Sequence, residues 1–333
     1  MSEKIEIVVK PQMLGAIGRS WDGPLSPMSP LLYDKEAKAV PDKKALSDAG
    51  ICDKNGAILP SVRPAIEVLA TAKALTRIYL TKSPGNIFEY IVFNSADGGS
   101  ASMMNESGDQ RINFPAVNQE VFVGLGQMLG TSVIRNCEFA ADLTAGESLV
   151  LSALIDSQRR TYLKAIADDQ EQGPVSLTKD KIATIVSTTE EDLQWFVSIF
   201  KKMLDIHGTF MAEVVPAALD GLISKGHVKK EGGFYSLSDT LLHLSRRMVL
   251  IERYMTVTSV KLGEDNELAL AGFTCLQSGI NDILMIDAGK GKARLETMSS
   301  ARLLDYLGVF MTPGTLSWPV KETGRVSIGS KRP

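Results

Sequence analysis

Residues 46–130 and 219–311 read as two copies of one unit, and a chain that repeats an element order has few folds open to it. The first copy opens LSDAGICDKNGAILPSVRPAIEVLATAKALTRIYL and the second LISKGHVKKEGGFYSLSDTLLHLSRRMVLIERYM. Each has a short apolar segment ending at a glycine, Gly50 or Gly226. A polar turn follows, with Gly56 in one copy and Gly232-Gly233 in the other, and then a helix. Each helix leads into a β-like stretch that reaches Tyr79-Leu80 or Tyr254-Met255. Downstream, FEYIVF (88–93) parallels LALAGFTC (268–275), Ser102-Met103-Met104 parallels ILMI (283–286), and 111–114 parallels 293–297. Amphipathic helices over 118–129 and 299–311 close the two copies.

The turns between the short strands, at 95–100 and 288–292, are tight and Gly-rich. Such turns join antiparallel neighbours, whereas parallel strands need long crossovers. The expected class is therefore α+β: two similar units related by a pseudo-two-fold, each a small antiparallel sheet carrying helices. A mainly helical middle joins them. The expected division is an N-terminal unit at 1–140, a helical connection at 141–216 and a C-terminal unit at 217–333. In the middle, Thr144-Ala145-Gly146-Glu147 is a capping-box pattern opening a helix over 144–168. Two more helices are expected over 178–186 and 188–206, the second containing Leu193, Trp195 and Phe196. Residues 20–42, rich in Pro and Ser, read as a meandering loop, and the tail from 312 as extended and then frayed.

Composition narrows the function. Lys plus Arg number 36 against 39 Asp plus Glu in 333 residues, a net charge of −3. That balance does not suit general binding to nucleic acid or anionic membranes. The start, MSEKIEIVVK, lacks the apolar core of a signal peptide, and no stretch reaches the ~18–20 apolar residues of a membrane helix. The expected location is the cytoplasm, with Cys52, Cys137 and Cys275 as reduced structural thiols whose individual roles the sequence leaves open. His207, His227 and His243 share no metal spacing, so neither a metal nor a cofactor is expected. Gly289-Lys290-Gly291-Lys292-Ala293-Arg294 lacks the GxxxxGK[ST] spacing of a phosphate loop and reads as a basic β-turn. No GxSxG elbow is present, and no catalytic residue is assigned. Arg159-Arg160 and Arg246-Arg247 read as solvent-facing helix charges, with binding of an acidic partner as the alternative.

Residues 217–239 look like the end of a winged-helix domain, with a helix, a strand, a glycine turn and a second strand. A helix that enters the major groove must meet phosphates, but 209–224 holds no Lys or Arg and carries Glu213 and Asp220 instead. Lys225, Lys229 and Lys230 near the hairpin are the cations at hand. The reading is winged-helix-like geometry used as scaffold, with specific DNA disfavoured as a partner.

The segment 5–9, the Pro-rich meander and LSDAGICDKNGAILPSVRPAIEVLATA together resemble the ESX (type VII) secretion-associated chaperones, the EspG-like family. The resemblance covers roughly residues 5–129, with the rest agreeing only in plan. The composition departs from the Ala/Arg-rich mycobacterial members in its many Lys, Ile, Met and Ser. The resemblance implies a cytosolic protein of two related halves that holds secreted PE–PPE pairs, and it transfers no individual contact residue. The expectation is thus a non-enzymatic protein-binding protein, a chaperone or adaptor for substrates of a specialised secretion system. It would use its sheet surface and central helices, with Trp195, Phe196, Arg246 and Arg247 as candidate partner-binding residues. The alternatives are a winged-helix-like DNA-binding regulator and an enzyme of unknown class. Homo-oligomerisation is left open.

Overall fold

The structure is a computed structural model that describes residues 4–32, 43–83, 86–106, 108–132, 138–187, 192–206, 213–263, 267–279, 281–311 and 326–327. The elements run β1 (Ile5–Val9), α1 (Pro11–Ser20), α2 (Lys43–Asp48), α3 (Arg63–Thr71), β2 (Ala74–Ser83), β3 (Asn86–Asn94), β4 (Ser100–Glu106), β5 (Asp109–Phe114) and α4 (Asn118–Leu129). The middle follows as β6 (Ala140–Thr144), α5 (Ala145–Asp168), β7 (Leu177–Thr178), α6 (Lys179–Ser187) and α7 (Phe196–Met203). Then come α8 (Val214–Ser224), β8 (Val228–Glu231), β9 (Phe234–Leu237), α9 (Asp239–Arg247), β10 (Ile251–Leu262), β11 (Glu267–Ser278), β12 (Asp282–Gly289), β13 (Lys292–Met298), α10 (Ser300–Met311) and β14 (Val326–Ser327).

The fold is α+β, and every ladder in it is antiparallel among the described residues. The repeated order is visible in the elements themselves. A helix, a hairpin or its equivalent, a second helix, four strands and a closing helix occur first as α2 to α4 and again as α8 to α10. In the first copy the hairpin shrinks to one bridge, Cys52 to Ile58, while in the second it is the β8–β9 ladder. Its turn is Gly232-Gly233, with φ of 54° and 89°. Two consecutive positive φ values make the tight turn whose twist suits a hairpin, and glycine takes them without strain. The Lys290-Gly291 turn between β12 and β13 has the same character, as the basic turn read from the sequence requires.

Chain contacts define two compact units. The first comprises Met1–Met128, Met255–Gly272 and Leu304–Pro333. Its sheet has the order β1-β5-β4-β3-β2-β10. On one face of that sheet Ile7, Val9, Phe93, Ala101, Met103 and Ile112 form a core with Ile17 of α1 and Ala65, Ile66 and Leu69 of α3. The opposite face is sealed by polar contacts as well as apolar ones. Thr76 Oγ1 donates to the Phe310 carbonyl of α10 at 2.8 Å and lies 2.7 Å from Ser259 Oγ, and Tyr90 Oη donates to Asn118 Oδ1 of α4 at 3.0 Å. Burial pushes the Tyr90 phenol up to about 12, so it stays a donor.

The second unit comprises Leu129–Tyr254 and Phe273–Leu303. Here the end of β11 continues to β12, β13 and β6, and α5 packs its first half against them. The helix begins as the Thr144/Glu147 spacing predicts. Glu147 N–H donates to Thr144 Oγ1 at 3.2 Å, and Thr144 N–H donates to Glu147 Oε2 at 2.7 Å. It ends at Asp169, held at φ 52°. A small sheet of order β7-β9-β8 stands beside α6 and α8. Residues 11–20 form α1, a segment for which the sequence reading made no assignment. The strong helix expected over 188–206 runs only Phe196–Met203, with 188–191 outside the described residues.

Candidate functional site

In the first unit the helical cover stops short of the last strands. On β2 the side chains alternate: Thr76, Ile78 and Leu80 are buried, while Leu75 is half-buried and Arg77 exposed. Register carries this second row across the sheet, from Leu75 to Phe93 and Val260, and from Arg77 to Ile91 and Thr258. The result is a depression of about 370 Å³ lined by Met28, Pro30, Leu75, Arg77, Ile91, Phe93, Met103, Thr258 and Val260. Arg77 is the one charged group in that lining, and Glu89 holds it at 2.5 Å. A shallow apolar surface with a paired cation can bind another surface. Its polar side chains are Arg77 and the Thr258 hydroxyl, and no carboxylate, imidazole or thiol is among the lining residues.

The wall of this depression depends on a close approach. A Cβ at Gly18 of α1 would lie 2.0 Å from the Leu31 carbonyl oxygen, so glycine lets the segment carrying Met28 and Pro30 lie against the helix. Ser26 pins the same segment, its N–H donating to the Ala70 carbonyl at 2.7 Å and its hydroxyl to the Ala72 carbonyl at 2.5 Å.

In the second unit the polar cluster is at the centre of the helices. Asp156 of α5 is buried and accepts from the N–H groups of Phe196 (3.0 Å) and Val197 (2.9 Å) and from Arg159 at 2.9 Å. Arg159, also buried, donates to the carbonyls of Met248 (2.6 Å), Gln194 (2.6 Å) and Val249 (3.1 Å). Burial lifts the Asp156 carboxyl to about 6 against the pull of Arg159 and the two amides, and it lowers the Arg159 guanidinium. This corrects the sequence reading of Arg159 as a solvent-facing charge. It also explains where α7 begins: the buried carboxylate takes the first amides of the helix, so Trp195 precedes the helix instead of lying within it.

Trp195 is half-buried, with the Arg160 guanidinium 3.7 Å over its ring and Arg159 at 5.4 Å. It borders a small pocket of about 120 Å³ with Asp156, Ser157, Arg160, Ile185, Val197 and Ser198. Phe196 is fully buried in the core of the unit, so it cannot serve as an exposed anchor. Arg247 is tied down, donating to Asp282 at 2.5 and 2.7 Å and to Glu138 at 2.5 Å, and it is partly buried, which corrects its reading as a solvent-facing helix charge. Arg246 is exposed and makes no ion pair among the described residues. The structure therefore brings Trp195 and Phe196 to the Asp156 cluster and Arg247 to a different one. The sheet face of the first unit was expected only in general terms. Its residue-level signal was β2, where Leu75 and Leu80 put apolar side chains on both faces.

The winged-helix surface carries little free positive charge. Exposed positions of α8 are Val214, Pro216, Ala217, Asp220 and Ser224. Lys225 donates to Glu147 at 2.8 Å and to the Asp142 carbonyl at 2.9 Å, Lys229 pairs with Asp239 at 2.7 Å, and Lys230 lies 5.7 Å over the Tyr235 ring. No group of three or more His, Cys, Asp or Glu side chains is placed to hold a metal among the described residues. Cys52 and Cys275 are buried, and burial pushes both thiols up. Cys137 and His207 lie outside the described residues. Among the described residues no helix is long and apolar enough to cross a membrane.

No protein-family model matches the chain, and no curated protein matches it. Among solved structures the chain is similar to the type VII secretion system chaperone EspG5 of Mycobacterium tuberculosis, solved in complex with a PE25-PPE41 dimer. The similarity has a TM-score of 0.47 and 13% sequence identity, and it spans 94% of this chain and 98% of that one.

Proposed function

We propose that this chain is a non-enzymatic protein-binding protein of the cytoplasm, a chaperone or adaptor that holds a substrate of a specialised secretion system against the open sheet face of its first unit. The observation that carries the reading is the apolar depression over β2, β3 and β10, where Leu75, Ile91 and Val260 stay partly open beside a buried core. Apolar surface left uncovered next to a packed core is the kind of patch that marks an interaction site. The partner class comes from the sequence resemblance, which implies a small helical secreted protein. An amphipathic helix fits the chemistry of a shallow apolar trough whose cation is already paired.

The test is a pull-down from the native cytoplasm with the wild-type chain and with Val260→Lys, identified by mass spectrometry. The expected result is one small helical secreted protein recovered by the wild type and lost from the variant, with both chains melting alike. Equal recovery by both, or recovery of no such protein, overturns the reading.

A further inference from the structure

Among the described residues, one edge of β11 has no strand partner over Ala269–Gly272. Its ladder with β12 runs from Ser278 and Asp282 to Thr274 and Ile286 and stops there. Ahead of it the strand carries Leu268, Ala269, Leu270, Ala271 and Gly272, an uncharged run whose residues are all half-buried. Gly272 lies tight against β10, since a Cβ there would be 2.4 Å from the Val257 carbonyl oxygen. One edge of this stretch thus faces β10. On the other edge, among the described residues, β14 pairs with it, Glu267 opposite Ser327 and Leu268 opposite Val326. Beyond Leu268 no further strand is paired there among the described residues.

An exposed strand edge with an apolar run is a template for a further strand, and proteins cover such edges. The sequence around β14 suits the task. Val326 and Ile328 alternate with Arg325, Ser327 and Gly329. The segment 312–333 carries Lys321, Arg325, Lys331 and Arg332 against one acid, Glu322, while β11 opens at Glu267 just after Glu264 and Asp265. Opposite charges on the two segments favour their pairing over that of two copies of β11, which would bring acids together.

We propose that the β11 edge from Leu268 to Gly272 is a strand-accepting site, that its resident occupant is the C-terminal segment of the same chain, and that this segment keeps the edge from other extended peptides. The inference does not rest on the sheet-face reading above and needs no knowledge of that partner.

The experiment uses the full chain and Val326→Pro, which removes one amide donor and disfavours a strand at that point. Hydrogen exchange should speed up about tenfold over 268–272 in the variant and stay unchanged over 274–278, where β12 supplies the pairing. A fluorescent peptide of the sequence ETGRVSIGS should bind the variant about tenfold more tightly than the wild type, because the resident strand no longer competes. The same peptide with proline in place of its valine should not bind. Equal exchange in the two chains overturns the proposal, and so does a peptide that fails to bind the variant. A wild type that is dimeric where Val326→Pro is monomeric would place the strand on a second copy and overturn the intramolecular assignment.

Discussion

A buried carboxylate and a buried guanidinium at the centre of the helices decide more than their own pairing. Asp156 and Arg159 are three residues apart on α5, and between them they hold the start of α7 and the carbonyls of Gln194, Met248 and Val249. Because burial is the largest influence on Asp156 and raises its pKa, the folded state holds the proton more tightly than the unfolded chain. Its contribution is therefore fully present below the unfolded value, near 3.8, and is lost as pH rises through about 6. Arg159→Met removes the cation that restrains this rise and leaves the buried Asp156 with only the Phe196 and Val197 amides as donors, a loss of a buried ion pair that costs about 3–5 kcal/mol. The deficit relative to wild type should stay level below pH 6 and grow above it, since only the variant still carries the Asp156 proton there. Urea melts of both chains from pH 5 to 8 check this. A deficit that shrinks as pH rises would show that the Asp156 proton is not what the variant retains. Nothing simple in the pattern marks this pair, because an Asp and an Arg at helical spacing look the same on a surface as in a core. What separates them is that their neighbours Leu154 and Ile155 are buried too, so α5 is buried on nearly every side over its first half.

At the scale of elements, the first unit's open face owes its outline to α1 and to the segment after it. Gly18 allows the Leu31 backbone to approach, and Met28 and Pro30 then border the depression. Gly18→Ala puts a methyl group against backbone, which cannot step aside as a flexible side chain would. The expected cost is about 1–3 kcal/mol, read from thermal melts as a lower midpoint. Partner affinity should fall with it, because the displaced segment is a wall of the site. A variant as stable as the wild type would mean that α1 shifts freely. The elements themselves were largely legible. The closing helix α4, the capping box of α5 and the basic turn before β13 occur where spacing predicts them, because each rests on local chemistry. The start of α7 was not legible, since a carboxylate 40 residues away in sequence, Asp156, supplies its first acceptor. Helix α1 was missed for a related reason: Pro11 opens it well, but its Gly15 and Gly18 lower its propensity, and packing on β1 and the 26–31 segment makes up the loss.

For the molecule as a whole, the repeated order of elements constrains function less than the distribution of charge does. In the second copy α8 runs into the β8–β9 hairpin, the element order that in DNA readers carries a groove-reading helix. Affinity for duplex DNA comes chiefly from cations that displace counterions, so a reader needs free Lys or Arg on the helix and hairpin that meet phosphate. Here α8 presents Pro216, Ala217, Asp220 and Ser224, and the lysines that follow it are spent on Glu147, Asp142 and Asp239 or stacked on Tyr235. The missing cations in α8 were legible in the sequence, but the engagement of Lys225 was not, because its partners Asp142 and Glu147 lie 83 and 78 residues away. The consequence is measurable as a contrast in salt dependence. Gel shifts with duplex DNA at about 50 mM salt should show no complex, whereas binding of the protein partner to the apolar sheet face should change less than about tenfold between 50 and 200 mM salt. A DNA complex that dissolves steeply over that range would transfer the function to the winged-helix surface. A partner complex that dissolves as steeply would mean that charge, and not the open face over β2 and β10, holds it.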